Sequence, residues 1–256
     1  AGRLLRRVRR QDPGFSQLLQ PKGCKKKPAE KQPALPSFVN TEVIPGEVGL
    51  GIGDAPSIAS DRTDTISEVR PLDDSKASDV RAAEQTRVEY ASGRLLVKTT
   101  QRSFFGRGSS VDVTIELPTG SHVQGDSGMG EFSCEGHLGE CRFKTGMGNI
   151  RLDQSGMLHL KTGMGNIAVD RALGDADVTT GSGDVRIGHI GGAAVIKNSN
   201  GDTVLGEVTG DLRVKSANGR ISVDRAHTSV IAKTANGNVR IGEVISGAIV
   251  LDPADW

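Results

Sequence analysis

The sequence predicts an all-β chain: a right-handed parallel β-helix or β-solenoid of 18-residue coils, preceded by an irregular β-rich cap. Three observations predict it. A glycine recurs at Gly130, Gly148, Gly165, Gly183, Gly201, Gly219 and Gly237, spaced 18, 17, 18, 18, 18 and 18 residues apart, and a fixed period of this length marks a solenoid. Apolar residues keep phase with those glycines. Aromatics make up only 3% of the 256 residues while glycine numbers 34, so the core must be filled by Val, Ile, Leu and Ala in a thin, regular architecture.

Taken in chain order, residues 1–37 read as a basic, disordered arm. They hold ten Lys/Arg against two acids, Asp12 and Glu30, a balance of +8 within a chain of net +1, so residues 38–256 carry −7. Such an arm suits nucleic acid or an anionic membrane surface, or is a solvated tail. The acidic body argues against nucleic acid as the main partner, which leaves the arm as its expected contact. No apolar run approaches the roughly 18 residues that span a membrane. No apolar h-region follows the basic start, which predicts a cytoplasmic chain, or a cell-surface one if a leader precedes Ala1.

Residues 38–125 read as a β-rich N-terminal cap, with strand patterns at 42–52, 65–70, 87–91, 94–99 and 111–117. "SKASDVRAAEQT" (75–86) offers Ser caps and a short helical pattern, and "SGRLLV" (92–97) reads as a hairpin return. A solenoid needs such a cover because an open coil end exposes backbone.

Residues 126–256 read as a seven-rung solenoid. Two places after each glycine stand Phe132, Ile150, Ile167, Val185, Thr203, Ile221 and Val239, and four places after stand Cys134, Leu152, Val169, Ile187, Leu205, Val223 and Ile241. Seven and five places before the later glycines stand pairs such as Cys141 with Phe143 and Leu158 with Leu160. Each rung therefore has two short strands of period-two alternation flanking a turn. The reversal calls for positive φ, which glycine supplies. Ser127, Thr145, Thr162, Thr180, Asn198, Ser216 and Thr234 form a polar row three places before the glycine, expected to hydrogen-bond along the axis. Rung seven is expected to give Val239, Ile241, Val244, Ala248 and Val250 to the core. The chain stops at "VLDPADW" where an eighth turn is due, so either Trp256 caps the stack or the solenoid is truncated; an open end predicts self-association.

Several motifs resemble functional sites. "GDSG" (125–128) resembles the nucleophile loop of trypsin-like proteases, but Ser127 belongs to the polar row and no His/Asp motif accompanies it. "GLGIGD" (49–54) lacks dinucleotide-binding spacing. Cys24, Cys134 and Cys141 give neither a disulfide framework nor a zinc motif. His122, His137, His159, His189 and His227 share no rung phase, which argues against a metal row. Calcium is the stronger rival, because 18 residues equal two nonapeptides. The residue after each glycine reads Glu131, Asn149, Asn166, Asp184, Asp202, Arg220, Asn238, and an Arg in that row is hostile to a cation. No cofactor or metal is expected.

Two outward rows remain as candidate contact surfaces. Met129, Met147 and Met164 stack at three successive turns, and an apolar stripe can bind a partner. Lys144, Lys161, Lys197, Lys215 and Lys233 share one phase, broken by Thr179, and such a row can grip an extended anionic polymer. Each has a plain structural reading beside it: a local turn preference for the methionines, a solvated face for the lysines.

From about Ser37 onward the chain resembles the bacterial putative-adhesin domain family, a β-solenoid domain common in actinobacteria. The resemblance lies in "SIASDRTDTISEVRP" (57–71), "AAEQTRVEYASGRLLVKT" (82–99), "VDVTIELPTGS" (111–121) and the rungs "TTGSGDVRIG", "VIKNSNGD", "DLRVKSANGRISVDRAH" and "AKTANGNVRIGEV". It implies the β-solenoid fold and carries over no catalytic residue. The basic arm, the stop at Trp256 and the Gly-Met-Gly turns depart from the family's pattern. The expected function is a non-catalytic, adhesin-like binding or scaffold domain that presents a repetitive surface to a protein or an anionic polymer. The alternatives are a filament-forming scaffold and a β-helix enzyme acting on polysaccharide; for the latter, the outward acids Glu135, Asp153, Asp170 and Asp224 form only an interrupted row without a facing Arg cluster.

Overall fold

The structure is a computed structural model that describes residues 37–40, 47–50, 55–91, 94–98 and 110–253. All of the expected basic arm except Ser37 lies outside the described residues, as do Cys24 and Trp256. The N-terminal part contributes β1 (Ser37–Asn40), β2 (Glu47–Leu50), β3 (Ala55–Ser60), β4 (Thr65–Pro71), α1 (Ala77–Gln85), β5 (Arg87–Ala91), β6 (Arg94–Lys98) and β7 (Val111–Pro118).

Seven coils follow, each a strand, a turn and a second strand. They are β8 (His122–Met129) with β9 (Phe132–Leu138), β10 (Cys141–Met147) with β11 (Ile150–Ser155), and β12 (Leu158–Met164) with β13 (Ile167–Ala172). Next come β14 (Ala176–Ser182) with β15 (Val185–Ile190), and β16 (Ala194–Asn200) with β17 (Thr203–Val208). The last are β18 (Leu212–Asn218) with β19 (Ile221–Ala226), β20 (Val230–Asn236) with β21 (Val239–Val244), and then β22 (Ile249–Pro253). Odd-numbered coil strands build one 11-stranded sheet, here the first, and even-numbered ones build the second. Alternation places Val, Ile, Leu and Ala between the two sheets, and Leu205 pairs with Val223 in the predicted register, both buried. A third inward row, Leu138, Ser155, Ala172, Ile190, Val208 and Ala226, closes each coil at the end of its first-sheet strand.

The glycine repeat has a steric reason beyond φ. Six of the seven, all but Gly130, have φ between +130° and +149°. In those six a Cβ would stand 2.0–2.2 Å from the carbonyl oxygen of the repeat glycine one rung below, so only glycine allows the turns to nest. The single 17-residue spacing also has a cause. The first coil takes its extra residue as a bulge at Gly136, where the β9–β11 register shifts, and later coils take theirs in the turn that follows the first-sheet strand. The second coil has neither.

The N-terminal half extends the stack out of sequence order. β2 pairs in parallel with both β6 and β8, and β3 with both β7 and β9. The layer β2/β3 is thus intercalated between β6/β7 and the first repeat coil, and the chain climbs two layers between β7 and β8. Beyond β6/β7 the edges are met by antiparallel strands, β4 on β7, β1 on β4 and β5 on β6. Helix α1 lies at the expected place and buries Ala82 and Ala83. Its N-cap is Lys76 with no side-chain cap; the expected capping serine, Ser75, instead bonds Asp73 Oδ1 in the preceding turn.

Two further expectations are corrected. The polar row does lie inward and buried, but it does not bond to itself along the axis. Thr145, Thr162 and Thr180 donate to the carbonyls of Gly130, Gly148 and Gly165 at 3.3, 3.2 and 3.5 Å, and Asn198 donates to Gly183 O at 3.1 Å. These acceptors belong to the turn one rung below, so the bonds do run along the axis, but to main chain rather than to the neighbouring side chain. In the last coil Val250 pairs with the outward-facing Ile231 and Ala248 is exposed, while Ile249 and Leu251 take the core register opposite Val230 and Ala232. The 19-residue step from Val230 to Ile249 shifts the alternation by one, which exchanges faces.

Candidate functional site

The outward face of the second sheet carries the strongest feature of the surface. In β10 the alternation sends Cys141, Phe143 and Thr145 inward and Arg142, Lys144 and Gly146 outward. The same alternation repeats in β12, β16, β18 and β20. Parallel in-register pairing then aligns Asp126, Lys144, Lys161, Thr179, Lys197, Lys215, Lys233 and Asp252 in one file along the axis. Rungs are about 4.8 Å apart, so the ammonium groups form a ladder of that period. Lys144 pairs with Asp126 at 3.6 Å. Lys161, Lys197 and Lys215 make no ion pair among the described residues.

A second file on the same face reads Gln124, Arg142, His159, Asp177, Val195, Arg213 and Ile231. Arg142 is held by Glu140, which also stands 3.8 Å from His159. A shallow depression of about 250 Å³ opens where Thr179 interrupts the lysines, lined by Arg142, Lys144, His159, Lys161, Asp177 and Thr179 among others. The two files hold seven cations against the acids Asp126, Asp177 and Asp252, a net of +4 on a body (38–256) of net −7. Charge is therefore segregated onto one face.

On the other side of the lysines runs a file of small residues, Gly128, Gly146, Gly163, Gly181, Ser199, Ala217 and Ala235. Beside it, at the turn, stand Met129, Met147, Met164, Ser182, Asn200, Asn218 and Asn236 in register. The three methionines are 63%, 42% and 54% exposed. At the other end of the same file Asn218 and Asn236 donate to the amide oxygens of Asn200 and Asn218 at 2.9 and 3.0 Å. The fold's own solution at this position is an amide ladder, and the first three rungs place thioethers there instead.

The row weighed for calcium is a structural ladder. Asn149, Asn166, Asp184 and Asp202 each accept, through Oδ1, the backbone N–H of the next rung's residue, Asn166, Asp184, Asp202 and Arg220, at 2.8–3.0 Å. Their oxygens thus bond along the axis. No group of three His, Cys, Asp or Glu suited to a metal occurs among the described residues.

The first sheet's outward acids are scattered. Asp153 accepts the Gly136 N–H at 3.1 Å, and Gly188 and Gly206 separate Asp170 from Asp224 along the file. This face does hold a cluster that the sequence reading missed. Glu207 lies 3.3 Å from His189 Nδ1 and 2.7 Å from His227 Nε2, and the His227 hydrogen bond, its largest influence, holds the Glu207 carboxyl below its ordinary range. The 18-residue step from His189 to Glu207 was the available signal; His227 comes from the following turn, off the phase.

The remaining motifs are structural. Gly125 of "GDSG" leaves room for the rings of Phe132 and Phe143, which stack 4.6 Å apart, and Ser127 is buried in the polar row. Of "GLGIGD", residues 51–54 lie outside the described residues. Cys134 and Cys141 are free, buried thiols, and burial pushes the Cys141 thiol up to about 11.

Comparison with known proteins gives a family and distant likenesses. The sequence model of the family described as Toastrack DUF4097 matches residues 71–247. No curated protein matches. Among solved structures, a putative adhesin from Bacteroides fragilis is similar at 11% identity and a TM-score of 0.34, over 85% of this chain and 97% of that one. A putative lipid binding protein from Parabacteroides distasonis is similar at 13% identity and a TM-score of 0.43, over 86% and 94%. A putative cell adhesion protein from Clostridium sporogenes is similar at 10% identity and a TM-score of 0.28, over 84% and 99%.

Proposed function

The chain belongs to the Toastrack DUF4097 family, and from that premise we propose that it is a non-catalytic binding domain whose second sheet presents its basic face to an anionic polymer. The observation that carries the reading is the register of Lys144, Lys161, Lys197, Lys215 and Lys233 on a face of net +4, set on an acidic body. A solvated face needs charge but not segregation of one sign. Three of these lysines have no ion-pair partner among the described residues, so an incoming anion does not have to displace an internal acid.

Binding of this kind depends on salt. Three to five lysine contacts predict a loss of affinity of about 20-fold to about 100-fold between about 50 and 200 mM salt. The test is titration of fluorescent polyanions against the wild-type chain and the triple variant Lys161→Glu, Lys197→Glu, Lys215→Glu, with Arg151→Glu and Arg240→Glu on the first sheet as a charge control. Loss in the triple variant alone supports the reading. Equal loss in both variants, or no binding at low salt, refutes it.

A second reading, an end-to-end scaffold, is favoured by a separate observation. In the last coil Ile245, Ile249, Val250 and Leu251 are about half exposed.

A further inference from the structure

We propose that the polymer held by the basic face is a linear acidic polysaccharide with one carboxylate per sugar ring, lying along the solenoid axis on the small-residue file beside the lysines. This rests on the reading of that face given above and names its ligand.

The small-residue file is a bare shelf. Gly146, Gly163 and Gly181 are held as glycine by the fold, since a Cβ on each would stand 2.5–2.6 Å from the carbonyl oxygen one rung below. Gly128 has no such constraint, because a Cβ there meets nothing within 4 Å. Ser199 and Ala217 show that small side chains fit further along, both exposed. Nothing larger than a hydroxymethyl group stands on the shelf, although outward strand positions readily hold long side chains.

The two walls of the shelf differ in chemistry. One is the lysine file. The other is methionine in the first three rungs and Ser182, Asn200, Asn218 and Asn236 beyond. A pyranose ring presents a carboxylate at one edge, an apolar C–H face and a rim of hydroxyls. Lysine suits the first, exposed thioether the second, and an amide whose hydrogen-bonding capacity exceeds the one or two bonds it makes here the third.

Spacing favours the same class. A pyranose ring is about as long as a rung is thick, so the carboxylates that face the lysine file fall at whole-rung steps and stay in register with it, the Thr179 rung being left unmatched. An extended acidic peptide repeats its same-face side chains at roughly 6.8 Å, against about 4.8 Å per rung, and drifts out of register within two rungs.

The experiment compares polygalacturonate with poly-glutamate and a single-stranded oligonucleotide at one ionic strength. It uses the full chain, the lysine triple variant and a shelf variant, Ser199→Tyr with Ala217→Tyr, which adds bulk without charge. Polygalacturonate should bind at least about tenfold tighter than the other two, and the shelf variant should lose about tenfold for polygalacturonate alone. Circular dichroism melting checks that variant's fold, and Ser199→Tyr alone replaces it if it melts early. Equal binding of all three polyanions, preference for the oligonucleotide or the peptide, or indifference to the tyrosines overturns the inference and leaves the polyanion reading standing. Failure of every polyanion to bind removes both.

Discussion

Leu205 lies between Ile187 and Val223 in the first sheet, with no exposed surface. Leu205→Asp would bury an unpaired carboxylate and cost several kcal/mol. Its melting temperature should fall by tens of degrees or the chain should not fold; a wild-type melt would contradict the register. This residue was legible in the sequence because a two-residue alternation in fixed phase with a glycine leaves each side chain one face to occupy. The partners of the buried polar row were not legible in the same way. Thr162 and Asn198 announce a need for hydrogen bonds, but whether a carbonyl or a neighbouring side chain meets it depends on turn geometry that alternation does not encode.

At the scale of the strand and turn, the axial ladders bind one rung to the next. Asn166→Ala and Asp184→Ala each remove an acceptor from the next rung's N–H and should cost about 1 kcal/mol, read as a fall in the urea midpoint with unchanged slope. The methionines give the opposite expectation. Met147→Asn with Met164→Asn brings the first rungs to the arrangement of Asn200, Asn218 and Asn236, and should leave the midpoint unchanged or raise it by a few tenths of a molar of urea. A large loss would make those side chains part of the fold rather than of a surface. The seven repeat coils could be read because steric nesting forces a glycine at six of their seven turns. The layers β2/β3 and β6/β7 could not: they fall outside the 18-residue phase, and stacking out of sequence order is a tertiary choice that leaves no local pattern. The one-residue shift at Ile249 was missed for the opposite reason, since the period was extended past the point where it held.

At the scale of the molecule the N-terminal layers and the last described coil differ. Antiparallel strands and α1 cover the N-terminal layers, while in the last coil Ile249 and Leu251 occupy core register yet are each 50% exposed. Apolar edge with unpaired backbone recruits other edges. In this 256-residue chain, sedimentation at high micromolar concentration should show dimers or short filaments, and Ile249→Lys with Leu251→Lys should restore the monomer; a monomeric parent chain would refute the scaffold reading. The central claim concerns the second sheet, which brings Lys161, Lys197 and Lys215, three rungs of one file, into a single basic face. The most direct measurement is lysine acetylation read by peptide mass spectrometry, with and without a saturating acidic polysaccharide at low salt. The account predicts protection of Lys161, Lys197 and Lys215 while Lys76, beyond the first coil, labels at its free rate. Uniform labelling of all four, or protection confined to Lys76, would contradict it.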